Sequence, residues 1–204
     1  MKLHIMVMSL FCILQTLSMS PEAMLAHMAH EEKKENPLEP LMYKRTVADF
    51  KETGITKWNM VNPNDGNTLL HYWARCHTWS PALGPIFLKQ IDANSLNNKG
   101  KTPLLLLIEQ SPCYSASGNE QEDKKGIENL AAKFHHLIQA GALLAGRAVM
   151  DNDGKTPIKR LNQLIAMGSK YPVVLKLQAL VLAHLKQTGQ QDLLEKIPEK
   201  KAAL

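Results

Sequence analysis

Residues 65–71 of this 204-residue chain read DGNTLLH, and variants of the phrase return as KGKTPL at residues 99–104 and as DGKTPI at residues 153–158. The glycines of the first two copies are 34 residues apart, and the third glycine follows after another 54. Regular spacing of one phrase indicates a repeated structural unit. The sequence therefore predicts three stacked units, with about 20 additional residues inserted within the second.

Each copy carries the residue types of a tight turn that leads directly into a helix. Glycine adopts positive φ at little cost. A threonine two residues later can cap a helix by accepting a backbone N–H, and proline suits the first helical turn. The predicted structural turn residues are Gly66, Thr68, Gly100, Thr102, Pro103, Gly154, Thr156 and Pro157.

The period and the G-x-T-P-L wording of these phrases resemble the ankyrin repeat, whose unit has about 33 residues. The resemblance covers residues 41–187 and implies an all-α fold, an ankyrin-repeat solenoid of helix-turn-helix units with short hairpin turns. It implies a structural role for His71, since the family's histidine hydrogen-bonds the neighbouring turn. Leu105 stands where the family has histidine, and Trp73 where it has alanine. The Trp73 indole is therefore expected to separate two helices or to face outward.

Ankyrin repeats bind other proteins, so the resemblance implies a non-catalytic protein-interaction module. In that architecture the first helices and the turns line the concave side, and their outward positions have no packing role. Tyrosine and arginine are the residue types that most often anchor interfaces. The positions predicted to contact an unidentified protein partner are Tyr72, Arg75, Leu106, Glu109, Arg160 and Gln163.

Composition predicts the character of the segments around the repeats. Residues 111–126 hold two glycines, three serines and five charged residues, which indicates a mobile loop between two helices. The apolar spacing over residues 41–51 predicts an amphipathic helix that Gly54 ends. A flexible leader over residues 30–40 and a charged tail over residues 188–204 are expected outside the repeats.

The first residues of the chain have the pattern of a secretory signal peptide. Lys2 precedes an apolar run over residues 5–17. That run is shorter than a membrane span, which needs about 20 residues. We therefore expect residues 1–29 to hold the signal peptide and its cleavage region. The expected protein is exported, periplasmic or secreted, and keeps no stable membrane span. Translation from Met19 would instead give a cytosolic protein.

Bulk composition fits a folded domain and does not indicate a nucleic-acid partner. Hydrophobic residues make up 45% of the chain, its net charge is +5 and its pI is about 9.1. The basic residues are scattered rather than grouped with aromatic side chains, so no nucleic-acid partner is predicted. Removal of the signal would leave two cysteines, Cys76 and Cys113. The sequence is compatible with a disulfide between them and with two unrelated thiols.

The sequence contains no recognisable catalytic motif. Cys113 with His135 or His136 would supply a nucleophile and a base, but nothing in their spacing supports that pairing. Residues 71–77 include two histidines and a cysteine, yet the structural role implied for the first histidine argues against zinc. The sequence therefore predicts no enzyme, cofactor or small-molecule substrate. The alternatives are a host-directed bacterial effector, an enzyme that uses the Cys113 loop, and an adaptor that tethers two partners.

Overall fold

The computed structural model describes residues 36–41, 43–115, 118–167 and 172–198. This part of the chain is all-helical and contains no β-strand, which confirms the predicted all-α class. The predicted signal peptide lies outside the described residues, as does the predicted leader up to residue 35. Eight α-helices lie within the described residues: α1 (Val47–Glu52), α2 (Leu69–Arg75), α3 (Gly84–Phe87), α4 (Pro103–Glu109), α5 (Glu120–Gln139), α6 (Pro157–Ala166), α7 (Pro172–Thr188) and α8 (Gln191–Leu194).

The helices form two rows that pack against each other. Helices α2, α4 and α6 lie side by side and form the first-helix row, while α3, α5 and α7 form the second-helix row. Each helix of the first row also packs on the helix that follows it in the chain. Because the three turn phrases precede α2, α4 and α6, the repeated sequence produces a repeated turn–helix–helix unit.

The three tight turns before the first-row helices share one conformation. Gly66, Gly100 and Gly154 have φ angles of 72°, 70° and 73°, which confirms the positive φ predicted there. At the start of α4 the Thr102 hydroxyl accepts the Leu105 backbone N–H at 3.1 Å. This bond satisfies a backbone donor that has no partner inside the helix. The second and third turn phrases therefore cap their helices as their residue types predict, whereas at the start of α2 the His71 ring accepts the Thr68 backbone N–H.

Adjacent turns hydrogen-bond to each other and form a turn ladder over residues 62–68, 97–102 and 151–156. The Asn98 backbone N–H donates to the Asp65 carbonyl at 3.0 Å, which joins the first turn to the second. An equivalent bond of 3.2 Å joins the second turn to the third. Backbone groups left open by tight turns are thus satisfied by the next unit.

The mobile loop predicted over residues 111–126 is wrong for most of its length. Ser111–Ser115 forms a 3-10 turn, and α5 begins directly after Asn119. The Asn119 side-chain oxygen accepts two backbone N–H groups of the first helical turn, at 3.0 and 3.3 Å. Gly126 lies within α5 against the Tyr114 carbonyl, where no side chain fits. Composition indicated a loop, but the Asn cap and the acidic residues after it favour a helix start.

Helix α1 is shorter than the helix predicted over residues 41–51. It begins at Val47 because Thr46 caps it: the Thr46 hydroxyl accepts the Asp49 N–H at 3.2 Å. The Asp49 carboxylate in return accepts the Thr46 N–H at 2.9 Å, which completes a capping box. Gly54 follows the end of the helix with a φ of 66°, as predicted.

Both ends of the described chain pack more closely than predicted. Leu38 is fully buried, so the flexible leader predicted over residues 30–40 is wrong at its C-terminal end. At the other end Ile197 is buried, and the Gln178 side-chain amide donates to the Pro198 carbonyl at 2.7 Å. The segment predicted as a charged tail therefore packs on α7 as far as residue 198.

Trp73 departs from the repeat pattern and is fully buried. Its indole packs against Gly84 at the start of α3, where the Cβ of any other residue would overlap the ring. The Trp73 Nε1–H donates to the Ser80 carbonyl at 3.0 Å, so the polar edge of the ring is also satisfied. An outward indole is therefore wrong, because Gly84 leaves room for the ring between the helices.

Candidate partner-binding surface

Two of the six positions predicted to contact a partner are covered rather than exposed. Tyr72 is 6% exposed. Its hydroxyl accepts from the Asn62 amide at 2.6 Å and donates to the Asp65 carboxylate at 3.0 Å. Burial is the main cause that raises the pKa of Tyr72. Leu106 is 9% exposed, because α4 has first-row neighbours on both sides. The prediction that both side chains face outward is therefore wrong.

Three of the remaining positions meet in one polar group. Both oxygens of Glu109 accept from the Lys101 ammonium, at 2.8 and 2.7 Å. The Arg160 Nε lies 3.9 Å from Glu109 Oε1, and Arg160 Nη1 donates to the Gln163 side chain at 3.2 Å. The sequence analysis missed Lys101, although its place directly before the capping threonine of the repeated phrase puts it beside the first helix.

Arg75 completes the surface on the neighbouring helix. It is exposed, and its side chain has no ion-pair or hydrogen-bond partner within the described residues. Arg75, Glu109 and Gln163 each lie seven residues after the capping threonine of their unit, so they occupy one position in successive helices. We call Arg75, Lys101, Glu109, Arg160 and Gln163 the first-helix face.

The first-row helices carry more positive than negative charge. Arg75, Lys159 and Arg160 are opposed by Glu109 alone, whereas the turn ladder holds three lysines and three aspartates and is balanced. A surface with such an excess attracts anionic groups and repels cationic ones. Arg75 and Gln163 are exposed on this surface, whereas the side chains of Lys101, Glu109 and Arg160 are 21%, 12% and 26% exposed.

His71 has the structural role that the resemblance implies. Its Nδ1 accepts the Thr68 backbone N–H at 3.2 Å, and its Nε2 lies 3.0 Å from the Lys101 carbonyl of the next turn. This pair of bonds assigns the neutral tautomer with the proton on Nε2. Burial lowers the pKa of His71, which favours the same neutral form. With both ring nitrogens occupied, His71 serves neither as a base nor as a metal ligand.

A second polar group lies in the core beneath α2. Lys133 on α5 is fully buried. Its ammonium donates to the carbonyls of Trp73 and Cys76 at 2.7 and 2.6 Å, and to the Tyr114 hydroxyl at 3.2 Å. The Lys133 Nζ also lies 5.3 and 5.5 Å from the ring centres of Trp73 and Tyr114. We call these four residues, Trp73, Cys76, Tyr114 and Lys133, the lysine clamp.

The lysine clamp satisfies the C-terminal end of α2. The last carbonyls of a helix have no intrahelical partner, and a cation is favourable beside them. Burial lowers the pKa of Lys133 to about 7 and raises the pKa of Tyr114. The sequence analysis missed Lys133. Its place between Leu130 and Leu137, on the apolar face of the helix, was the available signal.

The described structure does not form the catalytic pair considered from the sequence. Cys76 and Cys113 are both free thiols. Cys113 lines a cleft of about 610 Å³ together with His77 and Tyr114. His135 lines a separate groove between α5 and α7. Cys113 and His135 therefore do not share a site, and the Cys113 thiol donates to the Gln110 side-chain oxygen at 3.6 Å.

The described residues contain no group of three or more histidine, cysteine, aspartate or glutamate side chains placed to bind a metal ion. Among the helices of the described part, none is both long enough and apolar enough to cross a membrane. Comparison of the chain with protein-family models, with curated proteins and with solved structures gives no match. The described residues therefore show an all-helical fold of three turn–helix–helix units.

Proposed function

We propose that this chain is a non-catalytic protein-binding module of the ankyrin-repeat type, which acts after export and binds its partner on the first-helix face. The observation that carries the proposal is the register of that face. Three stacked units place Arg75, Glu109 and Gln163 at one position of successive helices. A rigid scaffold with an open, patterned face is the arrangement that repeat proteins use for extended partners.

The polar groups of the first-helix face support this function because their positions are fixed before binding. Lys101 is held by both oxygens of Glu109, and Arg160 by Gln163. Side chains that are ordered in the free protein lose less entropy when a partner binds. One alternative is a host-directed effector, which would use the same face in a different compartment. The other is an enzyme that uses Cys113.

The test is site-specific photo-crosslinking in the organism that makes the protein. A photoreactive amino acid replaces Gln163 on the first-helix face or, as the matched control, Leu175, which is 45% exposed on α7 of the second-helix row. We expect a discrete crosslinked protein from position 163 and none from position 175. Equal crosslinking at both positions, or no adduct at position 163, would reject the first-helix face as the binding surface.

The compartment requires a separate measurement. If the protein is exported and its signal is cleaved, the intact mass of the mature protein should correspond to a chain without its first 18 to 29 residues. Mass spectrometry of the protein from fractionated cells gives the N-terminus directly. A chain that begins at Met1 or at Met19 in the cytosolic fraction would contradict export, and it would leave the binding proposal standing.

A further inference from the structure

The first-helix face carries more positive charge than its single carboxylate offsets. Both oxygens of Glu109 are occupied by the Lys101 ammonium. The Arg160 Nε is 3.9 Å from the same carboxylate and has no hydrogen-bond partner, and the Arg75 side chain has no partner within the described residues. Positive charge therefore remains on α2 and α6, on either side of the paired Lys101 and Glu109 of the central unit.

We propose that the partner binds this face through an acidic protein segment, with one carboxylate on Arg75 and a second on Arg160. This inference rests on the proposed binding function and names the chemistry of its partner. Charge complementarity carries it, because the first-row helices carry three cations, Arg75, Lys159 and Arg160, and the single carboxylate of Glu109. Guanidinium groups suit the role, since they bind carboxylates through two parallel N–H donors.

The packing of the first-helix row sets the spacing of the two carboxylates. Arg75 lies on α2 and Arg160 on α6, and α4 packs between these helices. Packed helices have axes about 8–10 Å apart, so the axes of α2 and α6, which carry the two arginines, are about 16–20 Å apart. An extended chain advances about 3.3 Å per residue. The matching segment therefore has its two acidic residues about five or six positions apart.

Glu109 adds selectivity to this arrangement. Its carboxylate lies between the two arginine-bearing helices and is paired with Lys101, so a third acidic residue in the middle of the segment would find no unpaired cation there. A charge that enters an interface without a partner disfavours the complex. The face therefore favours two spaced carboxylates over an unbroken acidic run, and Glu109→Gln should remove this preference.

The experiment uses the full chain and labelled synthetic peptides in fluorescence-anisotropy titrations. Three peptides of about twelve residues, built on a serine–glycine background, carry two glutamates about five positions apart, two adjacent glutamates, or two glutamines. We expect the spaced peptide to bind at least about fivefold more tightly than the adjacent one. We expect no measurable binding of the glutamine peptide. Equal affinity for both glutamate peptides would overturn the spacing argument.

A charge-matched pair of variants separates the face from the overall charge of the protein. Arg75→Glu with Arg160→Glu should weaken binding of the spaced peptide by at least about tenfold. Lys89→Glu with Lys176→Glu changes the net charge equally, at exposed positions after α3 and on α7, and should alter binding by less than about twofold. Circular dichroism verifies that both variants fold. Equal losses in the two variants would overturn the proposal.

The outcomes distinguish this inference from the function on which it rests. A partner crosslinked at position 163 together with peptides that bind without acidic preference would reject the acidic segment and keep the binding function. No crosslinked partner at position 163 would reject the binding function itself, and the acidic-segment proposal with it. Glu109→Gln supplies the last check with a fourth peptide, which carries glutamate at every position between the two spaced ones. An unchanged preference for the spaced peptide over this one would reject the selective role of Glu109.

Discussion

The turn ladder and the lysine clamp both satisfy buried backbone groups, but they do so over different distances in the sequence. In the ladder each turn closes on itself, as in the 2.9 Å bond from the Gly100 N–H to the Asn97 carbonyl, and then bonds to the next turn, as in the 3.0 Å bond from the Asn98 N–H to the Asp65 carbonyl. In the clamp, Lys133 reaches carbonyls of residues 60 and 57 positions earlier, in a different unit. The bonds within a turn follow from adjacent residue types, whereas the bonds between turns and those of the clamp exist only once the units are stacked.

The difference in distance is also a difference in chemistry. The bonds between turns of the ladder join neutral backbone amides and carbonyls, and an equivalent bond recurs between each pair of adjacent turns. The clamp places one cation in an apolar core, where each unsatisfied polar group costs about 1–3 kcal/mol. We therefore expect substitutions in the clamp to have larger effects on stability than substitutions in the ladder.

Truncation of Lys133 should have the largest effect. Lys133→Ala removes the donor from the carbonyls of Trp73 and Cys76 and leaves a cavity, so we expect the free energy of unfolding to fall by about 3–5 kcal/mol. Urea denaturation followed by tryptophan fluorescence measures the change. Lys125→Ala, an exposed position on the same helix, is the control and should change stability by less than about 0.5 kcal/mol. Similar values for both variants would show that the clamp contributes little.

The clamp should also make stability depend on pH. Burial lowers the pKa of Lys133 to about 7 in the folded protein, whereas its ordinary value is 10.5. Between these values the unfolded chain binds more protons than the folded one. The free energy of unfolding should therefore rise with pH, by up to about 1.4 kcal/mol per unit between pH 7.5 and 9.5.

The matched variant for this pH dependence is Lys133→Met, which keeps a long side chain but removes the titrating group. Urea denaturation of both proteins across the same pH range gives two slopes, and their difference isolates the contribution of Lys133. We expect the slope of the variant to be clearly smaller than that of the natural protein. Equal slopes would show that the Lys133 pKa is the same in the folded and unfolded chain.

Two glycines of the turn ladder separate backbone strain from crowding. Gly100 and Gly154 have φ angles of 70° and 73°. A Cβ on Gly100 would lie 2.7 Å from the Asn152 side-chain oxygen, whereas a Cβ on Gly154 meets no atom within 4 Å. We expect Gly154→Ala to cost about 1 kcal/mol and Gly100→Ala about 2–3 kcal/mol. Thermal melts of both variants test this, and equal costs would mean that the ladder contact at Asn152 is not needed.

The contrast explains which parts of the structure the sequence could predict. The turns and the starts of α4 and α6 follow from residue types within a few positions, such as Gly100 and Thr102. Two other features depend on which side chains meet after stacking. Gly84 leaves space for the Trp73 ring, and Lys133 donates to carbonyls at the end of α2. The insertion over residues 111–126 lies between these two cases. The Asn119 cap is a local signal of a helix start, but the polar composition of the segment led to the prediction of a loop.

The partner surface shows the same division. Arg75 and Gln163 are exposed where the repeat pattern places them, because their positions follow from the helix register. Tyr72 occupies an equivalent outward position and is nevertheless buried, since Asn62 and Asp65 of the preceding turn offer it two hydrogen-bond partners. The register of a helix predicts the face on which a residue lies. Whether its side chain is buried or exposed depends on the polar groups within its reach.

Tyr72→Phe should give the smallest effect and tests this last point. The change removes a hydroxyl that bonds to Asn62 and Asp65 but keeps the buried ring, so we expect the free energy of unfolding to fall by about 0.5–1.5 kcal/mol. Tyr43→Phe, at a position that is 79% exposed, should leave stability unchanged. Crosslinking at position 163 should be equal in the natural protein and in Tyr72→Phe, because the hydroxyl bonds to Asn62 and Asp65 of the first turn. If Tyr72→Phe left the free energy of unfolding unchanged and weakened crosslinking, Tyr72 would contact the partner. The description of its hydroxyl as buried would then be wrong.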